Sequence, residues 1–297
     1  MQISVRNRAG LFAFGALMFS NPASAREPVL ARNGMANAQE PLATDVGVAI
    51  LKTGGNAVDA AVAMGFALAV THPFAGNLGG GGFMLIRLAD GRSTFIDFRE
   101  RAPGLASRNM YLDAADNPTN ESVEGWKSSG VPGTVRGMEF ALSKYGTRKW
   151  SDLIAPATEL AKRGFLVSKA LAKSMHDEPS LARDPTSKRI FLSKQREGMT
   201  LKQPELARTL SRIAKLGADE FYQGETAKIL ALEMAKHHGL ITVQDLQSYQ
   251  AVERVPLTGT YKGYGVITAP PPSSGGVGIL QMLHMLEGSG YDAGGPG

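Results

Sequence analysis

The chain has 297 residues, 43% of them apolar and 20% charged, enough to bury a core in one large domain or two modest ones. It contains no cysteine, which excludes a disulfide scaffold, a thiol nucleophile, a CxxC redox centre and every cysteine-ligated metal site. Its 32 basic and 27 acidic residues leave a net charge of +5, but no basic run interleaved with aromatics occurs, so nucleic acid is not an expected partner.

Arg6 and Arg8 precede an apolar run from Leu11 to Phe19 and the small residues Ala23-Ser24-Ala25. That order is the pattern of an export signal, and the apolar run is too short to span a bilayer. Residues 1–25 are expected to be a signal peptide cleaved after Ala25, sending residues 26–297 to the periplasm.

Pro41 suits a first helical position, and Leu42, Val46, Ala49 and Ile50 follow at helical spacing until Gly54-Gly55. Asn56 is placed to cap a second helix with Asp59 in its first turn. From Ala57 to Val70 that helix is apolar on all faces, which predicts burial on every side. The glycine run Gly79 to Gly82 then leads into a hairpin, with strands at Phe83 to Leu88 and Ser93 to Phe98 around the turn Ala89-Asp90-Gly91. Phosphate-binding loops need strand, glycine loop and helix in that order, so this run is not one of them.

Further helices are expected from Gly133 to Tyr145, from a Ser151 cap to Gly164, from Pro204 to Gly217 and from Glu225 to His238, with a capping box at Thr242-x-x-Asp245. Residues 174–200 read as an irregular surface excursion. Val252 to Leu257 and Tyr261 to Thr268 have strand composition, and Pro270 to Gly276 leads into a last helix carrying Ile279, Leu280, Leu283 and Leu286.

The five histidines show no metal-ligand spacing, and no GxSxG elbow occurs. Ser273 and Ser274 read as capping or turn residues. The segment Asp97-Phe98-Arg99-Glu100-Arg101 concentrates charge at a strand end. Strand alternation would put Asp97, Arg99 and Arg101 on one face with a surplus positive charge. An arginine fork there could hold a carboxylate, or it could close a solvated ion pair. These residues alone leave both readings open.

Several ordered motifs recur together: Gly34 through Pro41-Leu42-Ala43-Thr44, Gly54-Gly55-Asn56-Ala57-Val58-Asp59-Ala60-Ala61, Gly79-Gly80-Gly81-Gly82-Phe83-Met84, Asp97-Phe98-Arg99-Glu100, Val131-Pro132-Gly133, and Pro270 to Gly276. Together they resemble the large-subunit part of the γ-glutamyltransferases, from about Pro28 to about Tyr291. The resemblance implies an α+β fold of the N-terminal-nucleophile hydrolase type, an αββα four-layer sandwich expected to be incomplete in this chain.

It also implies transfer of the γ-glutamyl group of glutathione-like donors to water, amino acids or peptides. In that family a precursor cleaves itself before a threonine, whose hydroxyl attacks the γ-amide to form an acyl-enzyme, with no metal or organic cofactor. The threonine opens a small subunit, which pairs with the large one as a heterodimer. No Thr-Thr-His-like processing site occurs here, so residues 26–297 read as a large-subunit region ending before the nucleophile and inactive alone. Arg99 matches the family arginine that binds the α-carboxylate of the γ-glutamyl group, with Asp97 or Glu100 expected to steady its side chain. The alternative is a noncatalytic periplasmic binding or interaction module of the same fold.

Overall fold

The computed structural model describes residues 28–194 and 196–290, and the expected signal peptide lies outside them. Residues 28–34 are exposed and carry no helix or strand. In the body, helix α1 (Pro41–Lys52) starts with Pro41 where no N–H is needed, and the Glu40 carboxylate accepts the Ala43 N–H at 3.0 Å. Helix α2 (Ala57–Thr71) opens with the expected cap, now seen as a reciprocal box. Asn56 Oδ1 accepts the N–H groups of Val58 and Asp59, and Asp59 Oδ2 accepts that of Asn56 at 2.8 Å.

Burial of α2 is less complete than its composition predicts. Most of it packs among α1 and the later helical layer, but Ala57, Ala61, Met64 and Leu68 form one stripe that stays partly exposed. That stripe lines an open apolar groove of about 820 Å³ together with Phe83 and Leu85.

Strands β1 (Phe83–Arg87) and β2 (Ser93–Asp97) form the expected antiparallel hairpin, with Phe83 opposite Asp97 and Arg87 opposite Ser93. Gly91 turns it at φ 88°, a left-handed value that favours glycine. Helix α3 (Thr134–Tyr145), expected from its sequence, buries Val135, Met138, Ala141 and Leu142 at helical spacing. Helix α4 (Trp150–Arg163) starts one residue before Ser151, whose hydroxyl meets Asp152 instead of capping the helix.

Strand β3 (Phe165–Leu166) follows, and the supposed irregular excursion contains the end of α5 (Lys169–His176) and the short α6 (Pro185–Ile190) before β4 (Thr200–Leu201) pairs back on β3. Pairing of two residues each leaves no alternation to read. Helix α7 (Pro204–Leu216) ends at Gly217 as expected and packs on α4, where the Trp150 indole N–H meets the Ile213 carbonyl at 2.9 Å.

Helices α8 (Asp219–Gln223), α9 (Glu225–Lys236) and α10 (Val243–Ser248) complete this layer, the last with the expected Thr242 and Asp245 capping box. Strand β5 (Val252–Arg254) then adds to the free side of β2, giving the order β1-β2-β5. Glu253 of β5 binds Lys144 and Tyr145 of α3 and Thr94 of β2, and these contacts hold its carboxyl down at about 2.

The expected strand compositions redistribute at this point. Val255 and the buried Pro256 interrupt the first, and β6 (Leu257–Tyr261) pairs with β7 (Tyr264–Thr268) as a separate hairpin around Lys262 and Gly263, both at positive φ. Helix α11 (Ser274–Leu286) ends the described chain with Ser273 as its cap, as its sequence implied. Its only buried residue is Gly276. Every strand pair among the described residues is antiparallel, in accord with an α+β class.

Candidate functional site

The expected alternation past Asp97 does not occur, because β2 ends there. Asp97 is buried, and both carboxylate oxygens are engaged: Oδ1 accepts the Arg99 backbone N–H at 3.0 Å, and Oδ2 accepts Arg254 Nε of β5 at 2.8 Å. The aspartate therefore turns the chain out of the strand and neutralises a different arginine. Neither Asp97 nor Glu100 pairs with the Arg99 guanidinium, in contrast to the expected support. Among the described residues, the exposed Arg99 side chain has no hydrogen bond or ion pair.

What holds Arg99 is its backbone. The glycine run lies directly behind it: Gly82 and Phe98 exchange backbone hydrogen bonds, and a Cβ on Gly81 would fall 2.6 Å from the Phe98 carbonyl oxygen and 2.9 Å from Arg99 Cα. Only glycine allows that approach. The carbonyl of Gly80 accepts the N–H groups of Gly133 and Thr134 at the start of α3, while Asn77 Oδ1 accepts from Gly80 N–H and the Thr134 hydroxyl. Gly79 to Gly82 and Val131 to Gly133, far apart in sequence, thus form one backing plate for residues 98–101.

On the other side stands Tyr249, which closes α10 and is 2% exposed. Its hydroxyl donates to the Arg99 carbonyl at 2.8 Å, and burial pushes its phenol pKa up, so it remains a donor. The ring stacks on Tyr222 at 5.9 Å, whose own hydroxyl donates to the Pro132 carbonyl at 3.1 Å. Arg101 lies over the same Tyr249 ring at 5.3 Å and donates to the Gln250 carbonyl at 3.1 Å.

Arg99, Glu100 and Arg101 form a wall shared by two hollows. One, of about 300 Å³, is bounded by Tyr249, Arg254 and Pro272; the other, of about 620 Å³, by Gly79, Lys127 and Ser129. A guanidinium fork on a rigid backbone beside open space can take a carboxylate bidentately. Ser273 is occupied as a helix cap, and no cluster of potential metal ligands occurs among the described residues. The sequence singles out Arg99 but not Tyr249, Arg254 or Asn77. No local signal marks Tyr249, whose contact spans 150 residues of chain.

The gamma-glutamyltranspeptidase family model matches residues 43–296. This chain belongs to that family. It is 52% identical over 266 residues to the glutathione hydrolase proenzyme of Escherichia coli, a match covering 88% of this chain and 46% of that protein. The Helicobacter pylori gamma-glutamyltranspeptidase structure superimposes with a TM-score of 0.88 at 44% identity, covering 91% of this chain and 79% of that one. The Pseudomonas nitroreducens enzyme complexed with L-DON gives 0.83, again at 44% identity, covering 87% of this chain and 77% of that one. The α+β architecture is accordingly the N-terminal-nucleophile hydrolase type of these gamma-glutamyltranspeptidases. The chain spans about half the length of the curated relatives it matches.

Proposed function

We propose that this gamma-glutamyltranspeptidase chain works as the large-subunit part of a γ-glutamyltransferase and glutathione hydrolase, in which Arg99 binds the α-carboxylate of the γ-glutamyl donor. The observation that carries the site assignment is the guanidinium of Arg99, without an acidic partner among the described residues and projecting from a backbone fixed from both sides. The names of the relatives, hydrolases formed as proenzymes, support the reaction class and self-processing. Acyl transfer would run on a threonine supplied by a small subunit, with water or an amine releasing the γ-glutamyl group. Alone, the 297 residues are expected to release none, since Ser273 is engaged as a cap and the sequence offers no local nucleophile and base. The export pattern of residues 1–25 supports a periplasmic location.

The test is steady-state kinetics on a full-length, self-processed enzyme containing this chain, with processing checked by gel. Truncating one partner of a charge-assisted pair costs roughly 2 to 5 kcal/mol, so Arg99→Ala should lose about thirtyfold to several thousandfold in kcat/KM. Arg99→Lys should recover part of it, since an ammonium lacks the planar fork. Unchanged kcat/KM in processed Arg99→Ala enzyme would remove the assignment. A wild-type enzyme that processes yet releases no γ-glutamyl group would favour the noncatalytic binding module.

A further inference from the structure

Arg101 lies outside the role given to Arg99, and its surroundings are specific. Its guanidinium is fixed in two ways, by the Tyr249 ring beneath it and by the Gln250 carbonyl. Its backbone is fixed as well, through reciprocal hydrogen bonds with Val131 at 3.2 and 2.8 Å. No acid pairs with it among the described residues: Asp97 is taken by Arg254, and Glu100, on the same wall, forms no ion pair with it. Stacking on an aromatic face orients a guanidinium while leaving its in-plane N–H groups free for an anion.

Arg99 and Arg101 also border the same two hollows, so either hollow offers both cations to a ligand that fills it. Both are mounted on Tyr249, the first through its carbonyl and the second through its ring. Two cations two residues apart on one fixed stretch of backbone match a ligand with two carboxylates better than one with a single carboxylate.

We infer that Arg101 binds a second carboxylate, the C-terminal one of the peptide that leaves a γ-glutamyl donor, and so selects dianionic peptide donors over γ-glutamyl amides with neutral leaving groups. This rests on the proposed γ-glutamyl reading and specifies its donor class. Arg101 does no bond-making; it discriminates through the leaving group's charge. Pairs at exposed positions are modest, while hydrogen bonds to charged groups are stronger, which places the expected discrimination between about three- and tenfold.

The experiment measures kcat/KM for hydrolysis of glutathione and of γ-glutamyl-p-nitroanilide on the same full-length, processed preparation with no acceptor added. The ratio of the two values is independent of the fraction of enzyme that is active, so a partly misfolded variant still reports. Arg101→Gln should lower the glutathione-to-anilide ratio by about three- to tenfold, Arg101→Lys should lower it less, and rising salt should lower it in wild type but not in Arg101→Gln. A ratio unmoved by Arg101→Gln, or a loss shared equally by both substrates, would overturn the inference while leaving the γ-glutamyl reading intact. Absence of turnover of either substrate by the processed wild type would overturn both.

Discussion

The hydroxyl of Tyr249 donates to the carbonyl of Arg99 at 2.8 Å, joining the end of α10 to the segment that follows β2. A buried donor of this kind fixes the backbone from which the arginine projects, without touching the guanidinium itself. Tyr249→Phe keeps the ring and the stack on Tyr222 and removes only that bond. The expected outcome is a rise of about three- to tenfold in KM for a γ-glutamyl donor, with a much smaller change in kcat and a stability loss of about 1 kcal/mol. Kinetics and a urea midpoint on processed enzyme separate the two effects, and equal falls in kcat and kcat/KM would contradict a positioning role.

Gly81 tests the same segment from behind. A methyl group there would sit 2.6 Å from Phe98 O and 2.8 Å from Glu100 N, both backbone atoms with little freedom to yield. Gly81→Ala should cost about 1 to 3 kcal/mol through overpacking and should weaken donor binding along with Arg99 variants. Gly91→Ala makes a useful contrast. Its Cβ meets nothing within 4 Å, so its cost should come from the φ of 88° alone and leave KM as in wild type.

Asp59 is fully buried and accepts hydrogen bonds from Asn56 N–H, from the Thr147 N–H and hydroxyl, and from Arg148 N–H. Burial alone would raise its pKa, but these donors outweigh it and hold the carboxyl below its ordinary value. Because the folded pKa is the lower one, the stabilisation is complete above the unfolded value of about 4 and is lost as pH falls below it. Asp59→Ala should destabilise by about 3 to 5 kcal/mol at neutral pH. Urea midpoints should show the gap between wild type and Asp59→Asn constant from pH 7 to about 5 and narrowing toward pH 3. A gap that does not narrow in acid would mean the carboxylate's charge is not what these donors recognise.

The export reading is checked at the chain's start. Material from a periplasmic fraction should begin Arg26-Glu27-Pro28 on Edman sequencing, with the Ala25-Arg26 bond processed. Recovery of chains beginning at Met1 in the cytoplasm would oppose it.

Legibility in the sequence followed the range of the interaction. The Asn56 and Asp59 cap, the hairpin around Gly91, the Pro204 and Gly217 ends of α7 and the Thr242 box depend on neighbours within a few residues, and they stand where spacing put them. The partner of Asp97 could not be read this way, because Arg254 arrives through the addition of β5 to β2, 157 residues on. Local alternation alone carries the strand past Asp97, whereas β2 ends there and the carboxylate accepts the Arg99 N–H. Arg99 was legible only through the company of other motifs, and the structure shows why those motifs travel together. Gly81 and Pro132 belong to the scaffold that carries it.

The last hairpin and helix stand apart from the body in one physical respect. No apolar side chain of β6, β7 or α11 is buried, and α11 leaves Ile279, Met282 and Met285 in solvent, while the sheet of β1, β2 and β5 is tied to the helical layer through Phe98, Tyr249 and Glu253. Opening residues 257–286 therefore exposes little that is not exposed already. In the 297-residue chain on its own, their amide protons should exchange with deuterium through local fluctuations, orders of magnitude sooner than those of α2 or α4, whose release requires the whole core to part.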